Sequence, residues 1–462
     1  MTRAKDISKI LTDADISGTL DVTGETTLAT HLNLGDNDKI KLGTSQDLEL
    51  YHDGNDSNIA DVGTGTLLLK TDGAGIYLQK GSSETLAQFK TDGAVNLYYD
   101  NSKKFETTSS GVTVTGAITG TSTTLTGGIT ASSFNGGQLG GRRNLLINGS
   151  MNVAQRSASV SGIGASAGYF TCDRWKVEIG STAGRFTMSQ TADAPNGVSA
   201  NCLKLDCTTA DTSIADAEYL FLANNFEGQD IQGIGKGITG AKEVTVSFYV
   251  KASAVFNFVV EFQDRDNSRK NGRIFATTTD WVRHEITFQA DVDDGSSPFD
   301  DDNSASARVN FWLHAGSTYT SGTLGSDWEN INQANRAVGI SSFFSSTDNN
   351  FFLTGVQVEI GSVATPFEHR SFGEELGLCQ RYFIKDETDY KAFTDSNTDG
   401  GSKAVNFTFP TVMRTLPTMT ASADAGNVVF SHRRDSGVAV TIGGAVNARS
   451  FINGGYQADA EL

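Results

Sequence analysis

Proline is scarce in this sequence: 5 of its 462 residues are proline, whereas 50 are glycine. Blocks rich in alanine, leucine, glutamate and lysine, which favour helices, are almost absent after the first residues. Short segments rich in valine, phenylalanine and threonine take their place, and glycine, asparagine and aspartate separate them. This composition predicts an all-β protein whose strands are joined by tight turns. At this length about three domains are expected rather than one core.

Positive charge is also in short supply, because 36 lysine and arginine residues stand against 54 acidic ones and give a net charge of −18. Nucleic-acid binding needs a basic face that contacts phosphates, so we expect no nucleic-acid partner. The sequence has no run of eighteen apolar residues, and its first residues, MTRAKDISKIL, lack the apolar region of a signal peptide. We therefore expect synthesis in a cytoplasm and no membrane insertion.

Cysteine is limited to four residues, Cys172, Cys202, Cys207 and Cys379. Without a signal peptide, a reducing compartment is expected, so we predict four free thiols. Cys202 and Cys207 stand at odd separation on a strand-like segment, which predicts that their side chains face opposite sides of a sheet. No pair has the CxxC spacing of a typical metal site.

Motifs for hydrolysis are missing as well. The sequence has six histidines, and none lies in an HExxH motif; no GxSxG motif is present. We therefore expect a binding protein rather than an enzyme. A carboxylate pair assembled between two copies of the chain remains an open alternative.

Residues 19–141 contain short alternating segments with internal repeats, such as Lys70–Ala74 and Lys90–Ala94, which share the sequence KTDGA. Each unit is too short and too sparsely apolar to bury a face alone, so it needs partners along the chain or from other copies. This pattern predicts the β-repeat shaft of a homotrimer. Residues 1–18 carry apolar residues at helical spacing, which suits either a short docking helix or a frayed terminus. The glycine-rich segment 132–141 is a candidate linker.

Residues 142–370 form a long block of strand-like segments. It opens on the turn signal Asn148-Gly149. Near its end one parity carries Phe352, Thr354, Val356, Val358 and Ile360, and the other carries Gln357 and Glu359, which predicts a half-buried strand. About ten such segments predict an antiparallel β-sandwich. The sequence FGEELGLCQ (372–380) predicts a short helix. Residues 371–462 then return to strands and are interpreted as a small C-terminal β domain at the tip of the molecule.

Three stretches carry a family resemblance: NLLINGSMNVAQR (144–156), TTTDWVRHEITF (277–288) and GVQVEIGSVATPFEHR (355–370), the last followed by ELGLCQRYF. They resemble the carbohydrate-binding-module-like jelly roll of bacteriophage tail fibres and related virion fibre proteins. In the preceding region, DNDKIKLG (36–43) and DLELYHDG (47–54) resemble the shafts of marine and cyanophage-type fibres.

The resemblance implies a jelly-roll domain in a structural protein of the virion. It implies attachment to tail or baseplate proteins through the N-terminus, and adsorption to a host surface glycan such as lipopolysaccharide or capsule. A head or baseplate decoration without a receptor role is an alternative. A depolymerase tailspike would need a long β-helix, for which residues 19–135 leave no room.

Sugar binding favours flat aromatic rings together with groups that hydrogen-bond hydroxyls. Trp328 and Tyr319 lie in the polar loop 316–328, which makes them candidates for glycan contact, with loop packing as the alternative. Trp312, Trp281 and Trp175 lie within strands and are assigned to packing.

Two basic segments add further candidates. The hairpin 263–273 concentrates Asp264, Arg265 and Arg269, although a solvated hairpin tip would have the same composition. In the C-terminal domain a basic turn and a tyrosine are candidate receptor contacts, with a plain turn as the alternative. These residues are His432, Arg433, Arg434 and Tyr456.

An acidic segment could hold a structural Ca²⁺, since carboxylate oxygens are the ligands that Ca²⁺ prefers. It does not match the loop of an EF-hand, and a solvated acidic loop is the alternative. Its members are Asp291, Asp293, Asp294, Asp300, Asp301, Asp302 and Asn303. No other cofactor is expected.

Overall fold

A computed structural model describes residues 19–120, 142–292, 297–386, 392–394, 403–421, 428–442, 450–452 and 455–462. The chain divides into two compact units, Met1–Gly127 and Gly128–Leu462. The predicted docking segment 1–18 and the predicted linker 132–141 lie outside the described residues.

The first unit contains two antiparallel sheets, one of three strands and one of five. The three-stranded sheet has strands β1 (Ile40–Leu42), β2 (Leu48–His52) and β3 (Ser57–Asp61) in chain order. The five-stranded sheet is also a simple meander in chain order. Its strands are β4 (Gly75–Lys80), β5 (Glu84–Lys90), β6 (Val95–Tyr99), β7 (Ser102–Thr108) and β8 (Gly111–Val114).

One face of the five-stranded sheet carries an apolar row that crosses every strand. The register aligns Leu78 with Ala87, Ala87 with Leu97, Leu97 with Phe105 and Phe105 with Val114. Of this row, Ala87 is buried, whereas Leu78, Leu97 and Val114 are 50%, 43% and 39% exposed. The meander therefore has the apolar face of a half-buried sheet, and no described element of the chain covers it fully.

The second unit is dominated by two antiparallel sheets that form a β-sandwich. The strands of the two sandwich sheets are β9 (Ser159–Ile163), β10 (Gly168–Tyr169), β11 (Lys176–Gly180), β12 (Arg185–Thr191), β13 (Cys202–Thr209), β14 (Tyr219–Glu227), β15 (Val244–Ala252), β16 (Asn257–Asp264), β17 (Arg269–Ala276), β18 (Val282–Phe288), β19 (Ala305–Ala315), β20 (Glu329–Asn330) and β21 (Asn350–Ile360). One sheet has the order β10-β11-β14-β19-β16-β17-β20 and the other β18-β15-β21-β13-β12-β9. The predicted all-β class is confirmed.

The described ranges contain few helices, and these are short. Two single-turn helices, α1 (Gly228–Ile231) and α2 (Ser317–Thr320), follow β14 and β19, and α3 (Phe372–Gln380) follows the sandwich. Three 3₁₀ turns lie at Gln232–Ile234, Gln333–Asn335 and Phe343–Ser345. The predicted helix at 372–380 is confirmed, and the Ser371 side chain caps it by accepting a hydrogen bond from the Glu374 N–H.

Aromatic rings fill the space between the two sheets. Phe311 on β19 lies edge-on to Phe248 on β15, with ring centroids 5.0 Å apart, and Trp175 lies 6.0 Å from Phe311. All three side chains are fully buried. Trp175 donates its indole N–H to the carbonyl of Asn148, which lies in the predicted turn with a φ of +58°. The structural role predicted for Trp175 is therefore confirmed.

The alternation predicted along the last strand of the sandwich is wrong in its first half. Phe351, Leu353, Val356 and Val358 all belong to the core, so the inward parity changes between 353 and 356. A bulge opposite β15 and a φ of +60° at Gly355 shift the register there. The strand is also buried on both faces rather than half-buried.

The four cysteines are free and buried, as predicted. Cys207 belongs to the core between the sheets, whereas Cys202 does not, in agreement with their opposite parity. Burial raises the pKa of the Cys207 thiol to about 11, so it is protonated and unreactive at neutral pH.

Residues 371–462 contain three small sheets, and they pack against the sandwich within one compact unit. Glu227 at the end of β14 accepts hydrogen bonds at 2.6 Å from both Arg381 and Tyr382. The backbone carbonyl of Leu462 accepts a hydrogen bond at 2.8 Å from Tyr169. The sequence predicts a domain boundary at residue 370, whereas the two-unit division of the structure joins both sides of that position.

The described strands of residues 371–462 are β22 (Phe383–Asp386), β23 (Ala392–Thr394), β24 (Lys403–Thr408), β25 (Thr418–Ala421), β26 (Val428–Arg434), β27 (Gly437–Ile442), β28 (Ser450–Ile452) and β29 (Tyr456–Asp459).

Candidate functional site

The seven-stranded sheet has a second apolar cluster on the face that points away from the core. Strand alternation sends Leu220 and Leu222 of β14 into the core, so Phe221 faces the other side. In the same way Phe311 of β19 is a core residue, and Trp312 faces outward beside Phe221, with ring centroids 4.5 Å apart. The outward face of the sheet therefore carries its own aromatic floor.

The segment after β19 folds back over this floor. Tyr319 in helix α2 lies 5.4 Å from Trp312 and 5.5 Å from Tyr219, measured between ring centroids. Its carbonyl accepts a hydrogen bond from the N–H of Ala337, which ties both ends of the returning loop together. Tyr319 is held by ring contacts but stays half-buried, so one part of its ring is open to solvent.

An open cavity of about 310 Å³, hereafter the aromatic cavity, lies between this floor and the loop. A volume of this size suits one or two sugar rings rather than a long chain. Aromatic and polar side chains alternate around it. Its lining residues are Glu178, Tyr219, Phe221, Arg308, Trp312, Tyr319, Gln333 and Arg336.

The aromatic cavity has a hydrogen-bond donor without a partner. Trp312 lines the cavity and is fully buried, yet its indole Nε1 forms no hydrogen bond with any described residue. The side-chain oxygen Oδ1 of Asn310, two residues earlier on the same face of β19, is also buried without a partner. Unpaired buried polar atoms cost about 1–3 kcal/mol each, so these two atoms are a local cost to the fold.

Two arginines border the cavity in different electrostatic settings. Arg336 forms a two-pronged pair with Glu261, with Nε to Oε2 at 3.0 Å and Nη2 to Oε1 at 2.5 Å. Although burial opposes it, this pair lowers the pKa of Glu261, which is therefore ionised at neutral pH. Arg308 donates from Nε to Gln263 at 2.8 Å and lies 3.5 Å from the carboxylate of Glu178.

The two loop aromatics singled out from the sequence lie in different places. Tyr319 lines the aromatic cavity, whereas Trp328 is not part of its lining. The Trp328 ring packs edge-on against Phe262 with centroids 5.8 Å apart, and its Nε1 donates to the carbonyl of Gln289 at 2.7 Å. Trp328 therefore packs the loop against the sandwich. This contact corresponds to loop packing, the alternative to glycan contact.

The charged hairpin is largely occupied by internal ion pairs. Asp264 is fully buried and accepts the Lys236 ammonium at 2.7 Å. Arg269 pairs with Asp291 through two hydrogen bonds of 3.0 and 3.1 Å. Arg265 is exposed at the tip and donates to Asn225 at 3.2 Å. Of the three candidates, only Arg265 is presented to solvent.

The C-terminal candidates do not form one surface. Arg433 and Arg434 are exposed at the end of β26, and the side chain of His432 lies outside the described residues. Tyr456 is buried against Phe407 and Phe409, with ring centroids 6.1 Å away in each case. It lines a different cavity of about 370 Å³ together with Lys385 and Asp386.

The acidic segment is only partly described. Asp291 is paired with Arg269 and lies 3.8 Å from Lys236, so cationic side chains already neutralise it. Asp293 and Asp294 lie outside the described residues. Within the described ranges, no group of three or more histidine, cysteine, aspartate or glutamate residues is placed to hold a metal ion. Ca²⁺ binding by this segment stays a prediction.

Sequence reasoning missed most of the aromatic cavity. The packing role predicted for Trp312 agrees with its burial against Phe221 and Tyr319, whereas the sequence does not single out Tyr219, Phe221, Arg308 and Arg336. A signal was present in the segment RVNFWLHA: Arg308, Asn310 and Trp312 share one parity, which is unusually polar for a strand whose other face is core.

Comparisons with known proteins found no matching family model and no matching curated protein. Among solved structures, the chain is similar to a CBM4 structure, with 11% identity over 46% of this chain and 99% of that chain and a TM-score of 0.25. It is similar to TmCBM61 in complex with β-1,4-galactotriose, with 10% identity over 47% and 99% of the two chains and a TM-score of 0.25. A third is the Family 11 carbohydrate-binding module from Clostridium thermocellum in complex with a β-1,3-1,4-mixed-linked tetrasaccharide, with 12% identity over 44% and 100% and a TM-score of 0.22.

These TM-scores are below 0.5, so no functional conclusion is drawn from the similarities. In the described part of the chain, no helix combines the length and apolar character needed to cross a bilayer.

Proposed function

We propose that this protein binds glycans and that the aromatic cavity on the seven-stranded sheet is its binding site. The open cavity beside the half-buried rings of Tyr219 and Tyr319, with charged and amide side chains in its lining, carries the proposal. A pyranose offers apolar C–H faces that pack on aromatic rings and hydroxyl groups that hydrogen-bond polar side chains. Gln333 and Arg336 at the border provide further polar groups.

Binding rather than catalysis is part of this proposal. Glu261 and Glu178, the carboxylates nearest the cavity floor, are engaged by Arg336 and by Lys176 and Arg308 respectively. A glycosidase needs one carboxyl group that holds a proton at working pH. Carboxylates held by cations do not supply that proton, which favours a non-catalytic site.

Replacing Tyr319 with alanine tests the site. The substitution removes a half-buried ring from the cavity and should weaken glycan binding by about 1–3 kcal/mol, with little change in melting temperature. Isothermal titration of the full chain against glycans selected on an array measures the affinity. Tyr99→Ala is the matched control, because Tyr99 is 75% exposed in the first unit. Equal affinities of Tyr319→Ala and the unchanged protein would place the glycan elsewhere.

We also propose that the chain is a homotrimeric virion fibre that attaches through its N-terminus to tail or baseplate proteins and adsorbs to a host surface glycan such as lipopolysaccharide or capsule. The exposed apolar row of the five-stranded sheet supports self-association, because an uncovered apolar face gains free energy when other copies bury it. The sequence resemblance supports the virion role. A head or baseplate decoration without receptor function is the alternative.

Sedimentation equilibrium of the full chain tests the assembly, and the expected mass is three times the chain mass of 49.1 kDa. A monomer would end the shaft hypothesis. Immunogold labelling of virions with an antibody to this protein tests its place, and labelled tail fibres with inhibition of adsorption by the antibody are expected. Labelled heads with unchanged adsorption would favour the decoration.

A further inference from the structure

Arg308 differs in its charge partner from other arginines of the second unit whose side chains are barely exposed. Four arginines with side chains 10% exposed or less each have a carboxylate oxygen at 3.2 Å or closer. They are Arg174, Arg269, Arg336 and Arg370. The carboxylate nearest to Arg308, that of Glu178, lies 3.5 Å away and is shared with Lys176 at 3.1 Å.

The remaining contacts of Arg308 do not compensate its charge. Its Nε donates to the neutral amide oxygen of Gln263, and its guanidinium lies 5.1 Å from the centre of the Phe221 ring. The side chain is 11% exposed, so water screens it poorly. Burial and the neighbouring Arg336 lower the pKa of Arg308 to about 10, which indicates that its protonated form is under-stabilised.

Around the cavity, Lys176, Arg308 and Arg336 stand against the two carboxylates of Glu178 and Glu261. One positive charge is therefore left over at a site in a protein whose net charge is −18. A buried cation with incomplete compensation is costly, and a ligand carboxylate that pairs with it relieves that cost. Guanidinium groups bind carboxylates in a planar, two-pronged geometry.

We infer that the aromatic cavity selects acidic sugars, with the ring of a hexuronic acid stacked against the half-buried Tyr319 and its carboxylate paired with Arg308. This inference rests on the proposed glycan site and adds its ligand class. The net negative charge of the chain repels polyanions in general, so binding of an acidic polysaccharide would have to come from a local site of this kind.

Titration of the full chain with polygalacturonate and with fully methyl-esterified polygalacturonate isolates the carboxylate, because the two polymers share one backbone. We expect tighter binding of the acid by about tenfold or more, and a loss of this preference in Arg308→Gln. Arg308→Lys keeps the charge without the planar geometry and should retain part of the preference. Arg142→Gln is the control, since this exposed arginine lies outside the cavity lining. Melting temperatures establish that each variant is folded.

The outcomes separate the ligand class from the site. Equal binding of the acid and the ester, abolished by Tyr319→Ala, would overturn the selection of acidic sugars and leave the glycan site in place. A preference for the acid that survives Arg308→Gln would also overturn the inference, because another cation would then be responsible. If neither polymer binds, the inference is wrong, and the proposed function then depends on binding of neutral glycans from the array. Should Arg308→Gln not fold, the response of Arg308→Lys decides.

Discussion

The two compact units differ in how they bury apolar side chains. Among described residues 19–120, Ala87 is the one buried hydrophobic side chain, and leucines such as Leu97 are about half exposed. In the second unit, rings such as Phe311 and Phe248 are fully enclosed between two sheets. A two-layer sandwich completes its own core, whereas a single-layer meander has no second layer within the described chain. The second unit therefore completes its core within one chain, whereas the first leaves apolar side chains exposed among its described residues.

The largest expected effect is on self-association. Val114→Asp places a charge in the apolar row, and burying an unpaired carboxylate costs several kcal/mol, so the variant should lose the assembled state in sedimentation equilibrium. Thr113→Asp is the control, because Thr113 is the exposed neighbour on the same strand and faces the other side of the sheet. Equal masses for both variants would remove the apolar row from any interface.

A core substitution in the sandwich should affect stability but not assembly. Phe311→Ala removes a fully buried ring that contacts Trp175 and Phe248, and we expect the free energy of unfolding to fall by about 3–5 kcal/mol. Denaturant unfolding measures it, with Ile238→Ala as an exposed control in the same unit. If the sedimentation mass changed as well, the two units would not be independent.

Trp328→Ala should lower the free energy of unfolding by about 1–3 kcal/mol without changing glycan affinity, because its ring packs on Phe262 outside the aromatic cavity. Trp328→Phe keeps most of the ring packing and loses the hydrogen bond to Gln289, so about 1 kcal/mol is expected. Glycan affinity measured on both variants decides whether Trp328 also contacts ligand. A loss of affinity at unchanged stability would reverse its assignment.

The smallest effect concerns pH. His314 is fully buried beside Glu218, and burial lowers its pKa below the value of 6.5 although the Glu218 hydrogen bond opposes the shift. The unfolded chain therefore takes up a proton before the folded one, so this contribution to stability is present above pH 6.5 and declines as pH falls below it. The slope that this histidine adds to the free energy of unfolding against pH is at most about 1.4 kcal/mol per pH unit. His314→Gln should flatten it in denaturant unfolding between pH 4 and 7, and exposed His369→Gln should not.

Much of the local structure could be predicted from sequence. The turn at Asn148, the helix Phe372–Gln380 and the free thiols follow from short-range signals, and all three are confirmed. The parity of β21 could not be predicted, because the bulge at Gly355 depends on pairing with β15, which is distant in sequence. The ion pairs of the hairpin could not be predicted for a similar reason, because Asp264 and Arg269 contact Lys236 and Asp291 only in the folded chain.

The aromatic cavity shows the same limit. Alternation along β19 establishes that Trp312 and Phe311 face opposite sides, but it does not tell which side is the core and which is covered by a loop. The structure brings Tyr319 over Trp312 and leaves Trp328 at the edge of the sandwich, although both belong to one polar loop. Two aromatic residues of one loop therefore differ in role, because one packs on β19 and the other packs on β16.

The sequence by itself determined the all-β class, the turns and the alternating faces, because these depend on backbone preferences and side-chain polarity over a few residues. Only the tertiary structure decided that Arg308 shares the carboxylate of Glu178 with Lys176 while Arg336 is paired closely with Glu261, and that Trp312 is buried in a second cluster on the outer face of the sheet. Charge compensation and burial are set by residues far apart in sequence, and strand pairing is the step that brings those residues together.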